Sequence, residues 1–112
     1  MTGIKRLKQG LVTVFTVPSA LLGDVTDALQ EHLQACLDEG ELHLILDCQQ
    51  VTYMDSAALE MLLSCSRMAR RKGGGIKLVH LNEVCQDTLV ATRLEQFVEV
   101  YANLPKALQS CL

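Results

Sequence analysis

Apolar residues recur along this chain in two rhythms. Leu11-Val12-Thr13-Val14-Phe15-Thr16-Val17, Leu42-His43-Leu44-Ile45-Leu46-Asp47 and Ile76-Lys77-Leu78-Val79-His80-Leu81 are short, nearly continuous runs, the pattern of strands covered on both faces. Ile4 to Leu7 reads as a strand before them, joined to the first run by Lys8-Gln9-Gly10 as a hairpin turn in which glycine supplies a positive φ. Phe97-Val98-Glu99-Val100-Tyr101 alternates as an edge strand does.

Elsewhere the spacing changes to three and four. Val25, Ala28, Leu29, Leu33, Cys36 and Leu37 form one apolar stripe, predicting a helix capped by Asp24, running to about Glu39 and stopped by Gly40. Ala58, Leu59, Leu62, Leu63, Cys65, Ser66 and Ala69, flanked by Met61 and Met68, predict a second helix from Ser56 to about Lys72, with Asp55 at its cap. Asn82 caps a short third helix with Val84, Cys85, Thr88, Leu89 and Thr92 facing inward. Asn103 caps a last one, with Pro105 tolerated in its first turn and Ala107, Leu108 and Cys111 on its apolar side.

Strands alternating with helices make this an α/β protein, and 112 residues make one domain, 1–112, with enough chain for a real core. A helix joins the strand ending at Val17 to the one beginning at Leu42, so the two can lie parallel through a right-handed crossover. Ligands and partners meet such sheets at the carboxyl ends of the strands, which puts Asp47 and Ser56 on the functional edge. Ser56 opens a helix, where backbone N–H groups lack intrahelical partners and the dipole favours negative charge.

Composition narrows the partners. A charged fraction of 21% and a hydrophobic fraction of 49% are those of a folded globular protein. The net charge of -3 argues against direct binding of nucleic acid, and four aromatic side chains, none of them Trp, leave little for base stacking. The five cysteines, Cys36, Cys48, Cys65, Cys85 and Cys111, contain no Cys-x-x-Cys pair, so they read as small hydrophobes in a reducing, cytoplasmic setting, with no metal expected. The basic start, Met1 to Lys8, lacks the apolar run of a signal peptide, and no stretch is long enough for membrane insertion.

Candidate chemistry is thin. Gly73-Gly74-Gly75 follows a helix and precedes a strand, the reverse of a phosphate-binding loop, and reads as a helix stop plus turn. Arg67, Arg70, Arg71 and Lys72 complement the negative end of the helix dipole; an acidic partner or an anionic lipid is the functional alternative to a solvated terminus. His32 reads as a packed or solvated side chain, and His80 has no Cys or Ser beside it in sequence to make a catalytic case. Ser56 as a nucleophile would need a base and a Gly-x-Ser-x-Gly elbow, and Met54-Asp55-Ser56-Ala57-Ala58 has no flanking glycine. Asp47, Asp55 and Glu60 lack the spacing of a metal site or an acid/base pair. No enzyme activity and no cofactor are expected.

A strand ending in Asp47, then Val-Thr-Tyr-Met-Asp-Ser-Ala-Ala-Leu before a long helix, resembles the signature of the STAS domain, in particular the bacterial anti-sigma factor antagonists. The resemblance runs from the opening strand pair to Leu108. It implies a mixed sheet of roughly four to five strands with about four helices packed mainly on one side. It further implies that Ser56 is phosphorylated by a partner that is both serine kinase and anti-sigma factor. That partner is bound when Ser56 is unmodified and released when it is phosphorylated, and a serine phosphatase resets the switch. Asp24, Asp47, Asp55, Ser56, Ala57 and Ala58 fall on the implied recognition edge. The family's glycine after the serine is here Ala58, and Val17 to Asp24 replaces its usual loop. The alternative within the same family is a STAS subunit of an ABC-type lipid transporter, in which this edge grips the ATPase. No pattern in the sequence fixes an oligomeric state.

Overall fold

The computed structural model describes residues 3–112; Met1 and Thr2, the start of the predicted 1–112 domain and of the basic N-terminal stretch, lie outside the described residues. In chain order the elements are β1 (Lys5–Gln9), β2 (Val12–Thr16), α1 (Gly23–Asp38), β3 (His43–Asp47), α2 (Ser56–Arg71), β4 (Gly75–Val79), α3 (Glu83–Ala91), a 3-10 turn (Leu94–Gln96), β5 (Glu99–Tyr101) and α4 (Leu104–Gln109). The five strands lie in sequence order across one sheet. β1 and β2 form an antiparallel hairpin, and β2 through β5 are mutually parallel. Mixed sheet and helix count are those implied by the resemblance.

Side-chain alternation sorts the sheet into two cores. Phe15, Leu44, Leu46, Ile76 and Leu78 face the layer of α1, α2 and α3, where they meet Leu29, Leu33, Leu37, Leu62 and Leu89. Val12, Val14, Ile45 and Val79 face the other way, onto Ala107 of α4 with Leu104 and Leu108 beside it. Because both faces are covered, the central strands need apolar residues at consecutive positions, which is why their sequences run nearly unbroken.

Two helices end in the same way. Gly40 N–H bonds Leu37 C=O at 3.2 Å and Glu41 N–H bonds Cys36 C=O at 2.8 Å, closing α1 in a Schellman motif. Gly73 and Gly74 repeat it on α2, bonding Arg70 C=O at 3.0 Å and Ala69 C=O at 2.8 Å. Gly74 carries a second requirement, since a methyl group there would lie 2.1 Å from the Leu42 carbonyl oxygen. The triple glycine is thus a helix stop pressed against the start of β3.

Several expectations need correction. The hairpin turn is Gly10-Leu11 with Gln9 opposite Val12, so Leu11, 84% exposed, belongs to the turn and not to the strand. Asp24 does not cap α1. Leu22 occupies the cap with no side-chain bond, its carbonyl taking Val25 N–H at 3.1 Å, because burial of Leu21 fixes where the chain turns into the helix. β4 stops at Val79, since His80 adopts a left-handed φ of 59°. Val84 in α3 and Thr92 at its C-cap are exposed, and the Thr88 and Thr92 hydroxyls bond back to the carbonyls of Val84 and Thr88. Only Glu99–Tyr101 pairs as β5; Phe97 closes the preceding 3-10 turn.

Candidate functional site: the rim at the helix N-termini

The carboxyl ends of β2, β3 and β4 form one rim. Val17 N–H bonds Asp47 C=O at 3.1 Å and Cys48 N–H bonds Val79 C=O at 2.9 Å, so the three strands finish level. From there Cys48 to Asp55 crosses the sheet end. A parallel bridge between Leu21 and Met54 clips this crossing to the loop before α1, with Leu21 N–H on Tyr53 C=O at 2.9 Å and Asp55 N–H on Leu21 C=O at 3.3 Å. The two loops are zipped, and the N-termini of α1 and α2 stand side by side.

At this junction Asp55 has an extended backbone and its Oδ1 accepts the Ala58 N–H at 2.9 Å, satisfying one of the donors that a helix start leaves open. Ser56 is the first helical residue, and it and Ala57 are exposed. Ala58 differs from expectation: its side chain is fully buried under α2, so it supports the rim from below and offers a partner no surface. Asp24 stands exposed in the first turn of α1, adding negative charge near a positive dipole end.

Two rim residues escaped sequence reading. Leu22 is 42% and Tyr53 is 51% exposed, large apolar side chains presented by the zipped loops that hold Ser56. Their only sequence signal is an apolar residue inside a loop. An exposed aromatic and an exposed aliphatic side chain give this edge an apolar surface, and aromatic residues are enriched where proteins meet. A groove lined by Thr26, Asp27, Gln30, Ala57, Glu60 and Met61 continues from this patch between α1 and α2.

Asp47 sits farther along the rim with a partner that the sequence did not suggest. His80 Nδ1 lies 3.0 Å from Asp47 Oδ1, which also accepts Gln49 N–H at 3.1 Å. The left-handed turn at His80 brings the imidazole back over the neighbouring strand end. No hydrogen bond among the described residues joins His80 to Ser56. Asn82 anchors the rest of the crossing, donating to the carbonyls of Val51 at 3.3 Å and Thr52 at 3.2 Å while its Oδ1 caps α3. The cysteines are free, and burial pushes the Cys48 thiol next to Asp47 far above its ordinary value. No group of His, Cys, Asp and Glu among the described residues is arranged to hold a metal ion.

The family model described as STAS domain matches residues 4–107, nearly the whole chain. The chain belongs to the STAS domain family. Among curated proteins, none matches it closely enough to count as a relative. Solved structures are similar to this STAS domain in fold. A putative anti-sigma factor antagonist from Thermotoga maritima superposes with a TM-score of 0.89 at 19% identity, over 96% of this chain and 92% of that one. The Bacillus cell fate determinant SpoIIAA in its phosphorylated form gives 0.78 at 12% identity, over 98% and 100%. The murine anion transporter Slc26a9 gives 0.74 at 22% identity, over 92% of this chain but 18% of that one. No helix of the STAS domain, among the described residues, is long and apolar enough to cross a membrane.

Proposed function

We propose that this STAS domain is a regulatory binding module of the anti-sigma factor antagonist kind: it docks an anti-sigma factor that is also a serine kinase and lets go when Ser56 is phosphorylated. It acts in the cytoplasm, is modified rather than turning over substrate, and is reset by a serine phosphatase. The observation that supports this most is the exposed Ser56 at a helix N-terminus, flanked by the exposed Leu22 and Tyr53. A fold shared with anti-sigma factor antagonists agrees with it.

The energetics favour a switch. A phosphate adds about -1.5 to -2 charge at Ser56, and the helix end stabilises it by only about 0.3 to 1 kcal/mol. Trapping that charge unpaired in an interface costs about 2 to 5 kcal/mol, and Asp55 with Glu60 one turn along adds repulsion. Phosphorylation therefore expels the partner without unfolding the domain.

A second reading is a STAS unit that grips a transporter ATPase through the same rim, with Ser56 unmodified; the likeness in fold to part of an anion transporter supports its transporter setting and says nothing of an ATPase. Recovering the protein from its host decides between them. Phosphate on Ser56 by mass spectrometry and a co-purifying soluble serine kinase are expected, with Ser56→Asp losing the kinase at an unchanged melting temperature. A membrane-bound ATPase in its place, or equal capture of the kinase by wild type and Ser56→Asp, overturns the first reading.

A further inference from the structure

The far half of α2, about 16 to 21 Å from Ser56 at 1.5 Å per residue, carries a second surface. Arg67 and Arg70 both fold onto the ring of Phe97, their guanidinium carbons 5.1 and 5.8 Å from its centroid. The helix dipole explains cations in the last turn, Arg70 and Arg71, but gives no reason for Arg67 to join them on the ring. Nor are these charges neutralised: the ion pairs among the described residues use Arg6, Lys8, Lys77 and His80, and none uses Arg67, Arg70 or Arg71. Glu99, the acid lining the hollow beside Arg70 and Phe97, is already engaged by Lys77 at 3.4 Å and the Tyr101 hydroxyl at 3.2 Å.

Contact with the ring occupies one side of a guanidinium and leaves its outer N–H donors facing solvent. Each carries about five N–H donors in a fixed fork, matched to the two oxygens of a carboxylate. Two arginines held on one ring have given up much of their rotamer freedom in advance, which lowers the cost of binding. We propose that Arg67 and Arg70, seated on Phe97 with Arg71 alongside, form a docking site for an acidic segment, rich in Asp or Glu, of a partner protein. Charge complementarity selects that occupant. The outer face of α2 has no exposed large apolar side chain to enter a bilayer, and the ring of Phe97, covered by guanidinium, is closed to a nucleobase. The site is independent of the Ser56 rim.

The test is a titration of the isotope-labelled protein with a synthetic poly-Glu peptide of about ten residues, long enough to span the last turns of α2, reading the arginine Nε–H resonances. The resonances of Arg67 and Arg70 move and saturate together. Arg67→Gln and Arg70→Gln, both exposed and free to fold, each weaken the peptide about tenfold. Phe97→Leu, which changes no charge, weakens it about threefold by releasing the guanidiniums. Phe97→Leu binding as tightly as wild type, or the exposed Arg93 responding as strongly as the pair, overturns the proposal. So does capture by phosphatidylserine vesicles with no response to the peptide.

Discussion

Leu21 and Met54 pair as a parallel bridge between two loops that are otherwise far apart in sequence, and both side chains are buried. That single clip fixes how the N-termini of α1 and α2 stand relative to each other, and through them where Asp24 and Ser56 face. Leu21→Ala should cost about 2 to 5 kcal/mol by emptying a fully buried site, read as a lowered urea midpoint. It should also weaken any partner that touches both helix ends, whereas Leu22→Ala, at an exposed position, should leave the urea midpoint nearly unchanged.

Asp55 contributes one well-placed acceptor to the Ala58 N–H. Asp55→Ala is expected to destabilise by about 1 kcal/mol, whereas Asp55→Asn, an equally good cap, keeps most of that stability. Thermal unfolding of the two variants side by side separates capping from charge.

Gly74 and Gly75 are neighbours with opposite tolerance. Alanine at 74 places its methyl against the Leu42 backbone at 2.1 Å, and a backbone atom cannot swing aside. A loss of about 3 kcal/mol or more is expected. At 75 the added methyl meets nothing within 4 Å, so Gly75→Ala should stay within about 0.5 kcal/mol of wild type in the same melt.

Burial, followed by a hydrogen bond with Glu41, raises the Cys36 thiol from 9.0 to about 11. Above pH 9.0 the unfolded chain gives up this proton while the folded one keeps it until about 11, so stability falls as pH rises through that window. Cys65 and Cys85, also raised by burial, steepen the fall. Urea midpoints should be flat below that window and decline across it, less steeply in Cys36→Ala. Alkylation of the folded protein at neutral pH should reach half-exposed Cys111 before the four buried thiols.

What could be read in advance follows the range of the interactions. The Asp55 cap and the glycine stops of α1 and α2 are decided within six residues, and each formed where local chemistry puts it. The strands could be seen because burial on both faces writes itself as unbroken apolar runs. Asp24 is a good cap residue that does not cap, because the start of α1 answers to Leu21 packing against a loop more than thirty residues away, and tertiary packing outweighs cap preference. His80 meets Asp47 only through the register that sets Asp47 opposite Val79. Leu22, Tyr53 and the arginines on Phe97 belong to the same class: their meaning lies in neighbours that sequence spacing does not reveal.

The sheet's two borders govern how the protein behaves when crowded with copies of itself. Every residue of β1 is exposed, and Lys5, Arg6 and Lys8 stud its open margin. A foreign strand laid there would have to strip water from cations, and at the far margin β5 offers a ledge of only three residues. Lateral growth into fibrils is thereby discouraged at both limits.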